Sequence, residues 1–253
     1  MLRMRQICLV ATDLAAAEAD LRAVFGLEVC YRDAGVERFG LRNFLMPVGN
    51  GFLEVVAPFQ ENTAAGRYLQ RRNGDGGYMV IMQCDDIAAA RERIQSLGVR
   101  LVLDSGGEHS AGLQLHPADV PGAIASLHWN EGDDDPAGPW GPAGPDWKPA
   151  QRTDVIRAMR AAELQTDDPT ALAARWSQVL DRPIETSPAG HPQIALDDAT
   201  LRFVPATDGR PEGLAALDVE VADRDRLLAA AQQRGCTVQG DTVTVCGTRF
   251  HLV

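Results

Sequence analysis

One arrangement of residues is written four times along this chain: a short apolar strand, an acidic turn, then an Ala-, Leu- and Arg-rich stretch with helical spacing. The copies are QICLVATDLAAAEADLRAVFGLEV, YMVIMQCDDIAAARERIQSLGVRLV, AAELQTDDPTALAARWSQVLDRPIE and LAALDVEVADRDRLLAAAQQRGCTV. Repetition of this kind constrains architecture more than any single segment, because a recurring unit must pack against copies of itself. Each helical stretch opens on Asp, which suits the unpaired amides and positive dipole end of a helix N-terminus. Pro169 falls in the first turn of the third helix, where its missing N–H costs nothing, and Gly26, Gly98 and Gly235 follow three helices at C-cap positions. In the first helix Leu14, Ala17, Leu21 and Val24 make a stripe near i, i+3, i+4 spacing that directs one face onto a sheet. Short β-like segments follow: LEVCYR, NFLMPVG and FLEVVAP in the first copy, RLVLDS, GLQLHP and AIASLHW in the second. The sequence therefore predicts an α+β chain of four tandem βαβββ units.

Residues 131–152, EGDDDPAGPWGPAGPDWKPAQR, break the pattern. The stretch is dense in Pro, Gly and Asp, has no period, and reads as a linker between a first module, 1–130, and a second, 153–253. Trp140 and Trp147 are expected to pin it to a surface. A net charge of −11 argues against nucleic-acid binding, which needs a basic face. No apolar run reaches the ~20 residues of a membrane span. The N-terminal apolar stretch is soon followed by Asp13, Glu18 and Asp20, unlike a signal peptide. Five cysteines, an odd number with no C-x-x-C pair, suit buried free thiols in a cytoplasmic protein. The expected partner is a small molecule, with no nucleic acid and no membrane, and the chain is expected to be a monomer or homodimer.

Two stretches carry chemistry. GNGFLEVVAP buries one carboxylate, Glu54, in an apolar strand, where desolvation demands a partner. An ion pair with Arg5, Arg42 or Arg72 would be a structural answer; a pocket would be a functional one. RYLQRRNGDGGY gathers Arg67, Arg71 and Arg72 in an otherwise acidic chain, with Arg67 and Arg71 on one helical face. These could hold an anionic substrate or serve as a solvated face. Cys8, sharing the face of Gln6, is taken as an inert core thiol.

The four units, together with ICLVATDLAAAEADLRAVFGLEV, GGYMVIMQCDDIAAARERIQSLGVRLV and the closing LQLHPADVPGAIASLHW, resemble the vicinal oxygen chelate superfamily, the glyoxalase and bleomycin-resistance fold. The closing stretch is most similar to its methylmalonyl-CoA epimerase branch. The resemblance implies two half-barrel glyoxalase-like modules, each with metal and substrate on its concave face. It also implies a divalent metal (Zn, Ni, Mn or Fe) on four inward side chains. Those positions correspond to Gln6, Glu54, Met79 and Ser126; Met and Ser replace the usual His and Glu, so half the ligand positions are lost. His128, two residues beyond Ser126, shares its strand face and offers a shifted site with Gln6 and Glu54. A metal-free pocket is the other outcome. In the second module the positions are Ala161, Arg202, Ala216 and His251, which cannot hold that site.

The resemblance thus implies an isomerase, epimerase or lyase acting on a small oxygenated metabolite. Glu54 would be base or metal ligand, Gln6 ligand or hydrogen-bond donor, and His128 auxiliary acid, base or ligand. Arg71, Arg72, Met79, His116 and Ser126 would contact substrate, and His109 would lie in a loop over the pocket mouth. The alternative is a non-catalytic, drug-sequestering binder without metal.

Overall fold

The computed structural model describes residues 1–253 and contains two mixed β-sheets. The first sheet holds β1 (Leu2–Val10), β2 (Leu41–Val48), β3 (Gly51–Pro58), β4 (Gly76–Cys84), β5 (Leu101–Gly106), β6 (Ser110–Leu115) and β7 (Ile124–Asn130). Helices α1 (Leu14–Phe25), α2 (Ala64–Arg72) and α3 (Ile87–Ser96) connect them. The strand order is β2-β3-β1-β4-β7-β6-β5. β1 and β4 run antiparallel at the centre, while β1 pairs β3 and β4 pairs β7 in parallel. This is the pairing two copies of one unit produce when they face each other about a local two-fold.

The second sheet repeats it. It is built from β8 (Ile156–Thr166), α4 (Pro169–Leu180), β9 (Glu185–Thr186), β10 (Pro192–Ala195), β11 (Thr200–Pro205), β12 (Gly213–Val221), α5 (Arg224–Gln233), β13 (Thr237–Gln239), β14 (Thr242–Val245) and β15 (Thr248–Leu252). Its central pair, β8 and β12, is antiparallel and is flanked by the parallel pairs β8–β11 and β12–β15.

The helices start and stop where the residues dictate. Asp13, Asp86, Asp168 and Asp223 each accept a hydrogen bond from a first-turn amide. One face of each sheet then buries its alternate residues under the helices: Ile7, Leu9, Leu53, Val55, Val80 and Met82 join Leu21, Val24 and Ile94. The same cluster continues without a break through Leu164, Trp176, Leu214, Leu217 and Phe250 of the second sheet.

One expected strand is missing. LEVCYR forms only a bridge, Tyr31 to Leu45, and the chain then turns through a 3-10 segment, Ala34–Phe39. The Asp33 amide donates to Asn43 Oδ1 and its carboxylate takes the Gly35 amide, so the segment peels off the sheet edge after Tyr31. The peeled segment becomes a wall: Asp33, Val36 and Phe39 line the cavity described next. No helix is long and apolar enough to cross a membrane.

Candidate functional site

The face of the first sheet opposite its helices lines a cavity of about 870 Å³. Glu54, on β3, stands at its floor and is 7% exposed. Its Oε2 accepts from Gln6 Nε2 at 2.8 Å and its Oε1 from Asn43 Nδ2 at 2.6 Å. Gln6 Oε1 in turn accepts from the Trp140 indole Nε1 at 2.7 Å. An indole nitrogen only donates, so Trp140 fixes which end of the Gln6 amide faces the carboxylate. Burial pushes the Glu54 carboxyl above its usual range, although the Asn43 and Gln6 donors pull it down. Burial and the nearby Glu54 push the Cys8 thiol up, so it stays protonated.

None of the three arginines expected as ion-pair candidates meets Glu54. A register shift between Met4 and Gln6 re-aims Arg5. Its guanidinium donates to Gly138 O at 2.8 Å and to Pro136 O, and stacks over Phe52, Trp140 and Trp147 at 5.4, 5.7 and 5.9 Å. Arg42 lies over Phe59 at 5.0 Å. Arg72 is 1% exposed and donates to Pro211 O across the seam with the second sheet. It therefore borders an adjoining cleft of about 450 Å³ and does not line the main cavity.

The other expected residues divide. Gln6, Arg71, Met79, His116, Ser126 and His128 line the main cavity with Glu54. Met79 and Ile81 give it an apolar stretch between Gln6 and Ser126. Ser126 Oγ donates to Leu113 O at 3.1 Å and lies 2.8 Å from His128 Nε2. The hydroxyl has one proton and spends it on Leu113, so Nε2 carries the hydrogen and Nδ1 is the free acceptor. Burial lowers the His128 pKa to about 4, and the ring is neutral at pH 7. Its place exists because residue 112 is Gly: a Cβ there would meet the imidazole at 2.9 Å. His116 sits at the rim with Nδ1 accepting from the Ala118 amide at 3.2 Å. His109 is exposed, bonded to Glu131 at 2.7 Å, and lies outside the cavity lining.

Three contributors escaped the sequence reading: Asn43, Trp140 and Tyr78. Asn43 had a trace, a lone amide at the head of the apolar strand NFLMPVG. Trp140 was expected only to anchor the linker; nothing local to residues 131–152 points it at Gln6.

The ligand set implied by the resemblance does not fit a divalent ion. Only two of the four positions, Gln6 and Glu54, offer oxygen donors that suit a hard or borderline ion, and they are already hydrogen-bonded to each other, to Asn43 and to Trp140. The remaining positions offer a thioether and a hydroxyl already committed to Leu113. No group of three or more His, Cys, Asp or Glu side chains is placed to hold a metal.

The matching face of the second sheet is closed by charge. Arg202 lies 3.2 Å from Glu163 and also pairs with Asp218; Arg249 bridges Glu163 at 3.4 Å and Asp208 at 2.9 Å. His251 approaches Glu163 at 3.8 Å. Although burial opposes it, contacts with His251, Arg202 and Arg249 hold the Glu163 carboxyl below its usual range.

Comparison with known proteins adds to this geometry. A family profile described as Glyoxalase-like domain matches residues 7–180. The ethylmalonyl-CoA/methylmalonyl-CoA epimerase of Cereibacter sphaeroides is 29% identical over 130 residues, spanning 49% of this chain and 96% of that protein. The mitochondrial methylmalonyl-CoA epimerase of Mus musculus is 23% identical over 128 residues, spanning 49% of this chain and 71% of that protein. Two solved structures match across most of the length and speak for the fold alone. A hypothetical protein from Staphylococcus aureus has a TM-score of 0.69 at 13% identity, covering 100% of this chain and 99% of its own. A mutant 4-hydroxymandelate synthase from Streptomyces coelicolor has a TM-score of 0.66 at 15% identity, covering 92% and 74%.

Proposed function

The chain belongs to the glyoxalase-like domain family, within the vicinal oxygen chelate superfamily, and from that premise we propose that it is an isomerase or epimerase of the proton-transfer type. The observation that carries the reading is Glu54: a carboxylate of raised pKa at the floor of a cavity, oriented by two amide donors. A base of this kind suits removal of a proton next to a carbonyl near neutral pH. The C–H bond breaks, the proton passes to a Glu54 oxygen, and the electron pair moves into an enolate. Return of the proton from the same carboxyl to a neighbouring carbon gives an isomer; return to the same carbon gives an epimer once the enolate has turned its opposite face to Glu54. The enolate oxygen is met by neutral donors: the second N–H of Gln6, and Gln114, whose amide lines the cavity without a protein partner. His128, neutral with a free Nδ1, accepts a substrate hydrogen bond and does not serve as acid. No step passes through a metal, since the side chains present do not fit one.

The test is exchange. In D2O, methylmalonyl-CoA and ethylmalonyl-CoA, named for the curated relatives, are offered first, followed by a panel of small α-substituted carbonyl acids. Enzyme-dependent deuterium at the carbon next to the carbonyl is expected, and Glu54→Gln should lower it by about a thousandfold or more. Exchange unchanged in Glu54→Gln would overturn the assignment.

A second reading, a non-catalytic small-molecule binder of the drug-sequestering type, is favoured by one observation: Met79 and Ile81 make the middle of the floor apolar. Saturable binding with no exchange for any bound compound would decide for it.

A further inference from the structure

Many of this protein's arginines are matched by carboxylates. Arg22, Arg91, Arg100 and Arg234, for example, each lie within salt-bridge reach of a carboxylate. Arg67 and Arg71, one turn apart on α2, do not. Both are exposed and both line the main cavity. Arg67 gives one N–H to Asn62 O at 2.6 Å and keeps the rest. The Arg71 guanidinium lies 5.8 Å over the Tyr68 ring, and that ring meets Tyr78 edge-on at 5.0 Å. The Tyr68 hydroxyl is committed to Gly77 O at 2.6 Å. Tyr78 is 7% exposed, yet its hydroxyl has no protein partner and its side chain lines both the main cavity and the adjoining cleft. Burial raises its pKa, so it is a phenol and a donor. Two cations without a salt bridge and one phenol O–H that opens onto the cavity without a protein partner therefore lie along one stretch of wall in a chain of net charge −11. Such a set satisfies an oxyanion, and none of the carboxylates that line the two spaces, Asp33, Glu54 and Glu212, forms a salt bridge with either arginine.

We propose that Arg67, Arg71 and Tyr78 form a subsite for the terminal oxyanion, carboxylate or phosphate, of a molecule whose apolar body lies along Met79 and Ile81 toward Glu54. The proposal rests on reading the cavity as the substrate site. It makes the substrate class an organic acid or phosphate ester and leaves Glu54 to act on a carbon held at a fixed distance from that anchor.

Hexanoate, hexyl phosphate and the neutral hexanamide are titrated against the full chain by calorimetry, with Arg side-chain NMR as a second readout. At least one anion is expected to saturate and to bind about tenfold or more tightly than hexanamide. The preferred anion distinguishes carboxylate from phosphate. Arg67→Gln with Arg71→Gln should erase the preference, and since both side chains are exposed the variant keeps its fold. Tyr78→Phe should weaken the anion severalfold, and Glu54→Gln should retain binding. Equal affinity for hexanamide, a preference surviving in the double arginine variant, or no saturation by either anion would overturn the subsite. Each of these leaves the deuterium test of Glu54 intact, and absence of exchange with anion preference intact would overturn only the catalytic reading.

Discussion

Glu54 is held as a poor anion by burial and made a usable one by its neighbours. Because its folded pKa is raised, a Glu54-dependent rate falls on acidification at a pH above the ordinary Glu value of about 4.3. Trp140→Phe keeps the ring and removes the N–H. The Gln6 amide is then free to rotate, Glu54 loses a donor, and the acid limb of the pH–rate profile should move further up while exchange falls about tenfold; an unshifted limb would show that the indole only packs. His128 acts on stability. Its pKa is 6.5 unfolded and about 4 folded, so between those values the unfolded chain binds more protons. Stability is full above pH 6.5 and is lost toward pH 4, by up to about 3 kcal/mol. His128→Gln should flatten the melting temperature over that window. Glu54 stood out as a carboxylate inside an apolar strand, and the resemblance paired it with Gln6. Asn43 and Trp140 were not legible, because their partners follow from the register of β2 and the path of the linker, which are long-range facts.

At the scale of elements, the linker differs most from its sequence character. Pro, Gly and Asp promise an irregular strand of chain, and the segment is irregular, but it is not loose. Trp140 and Trp147 are 1% and 4% exposed, and Arg5 hooks the carbonyls of Pro136 and Gly138 while stacking on both indoles. Arg5→Lys keeps the charge and loses the planar, two-carbonyl geometry. It should cost about 2–4 kcal/mol and open residues 131–152 to limited proteolysis; unchanged cleavage would show that the tryptophans hold the linker alone. The Asp N-caps of α1, α3, α4 and α5 were legible, since each is a local fit between side chain and amide. The C-caps of α3 and α5, however, fall on Leu97 and Arg234, one residue before the expected Gly98 and Gly235, and α2 is capped by Thr63 and Asn73. The strand expected at LEVCYR does not form, because Asp33 and Asn43 outcompete a sheet edge only once β2 is in place.

For the whole molecule, four repeats gave the architecture directly, while the unequal fate of the two hollows depended on which residues face inward. One core runs beneath both sheets, and at Gly247, φ +62°, the two halves meet backbone on backbone: a Cβ there would lie 1.9 Å from Asp75 O. The second hollow is closed by Glu163, Arg202, Asp218 and Arg249. Arg202→Met leaves Glu163 and Asp218 short of a counter-charge and should destabilise the chain by roughly 2–3 kcal/mol. Because folded Glu163 has a lowered pKa, its contribution is present above the unfolded value and fades as pH drops, so the variant's deficit should shrink in acid. The same set of charges constrains any attempt to build a second binding site into that face. Removing one member leaves its partner uncompensated before any space is freed, so the charges have to be exchanged together.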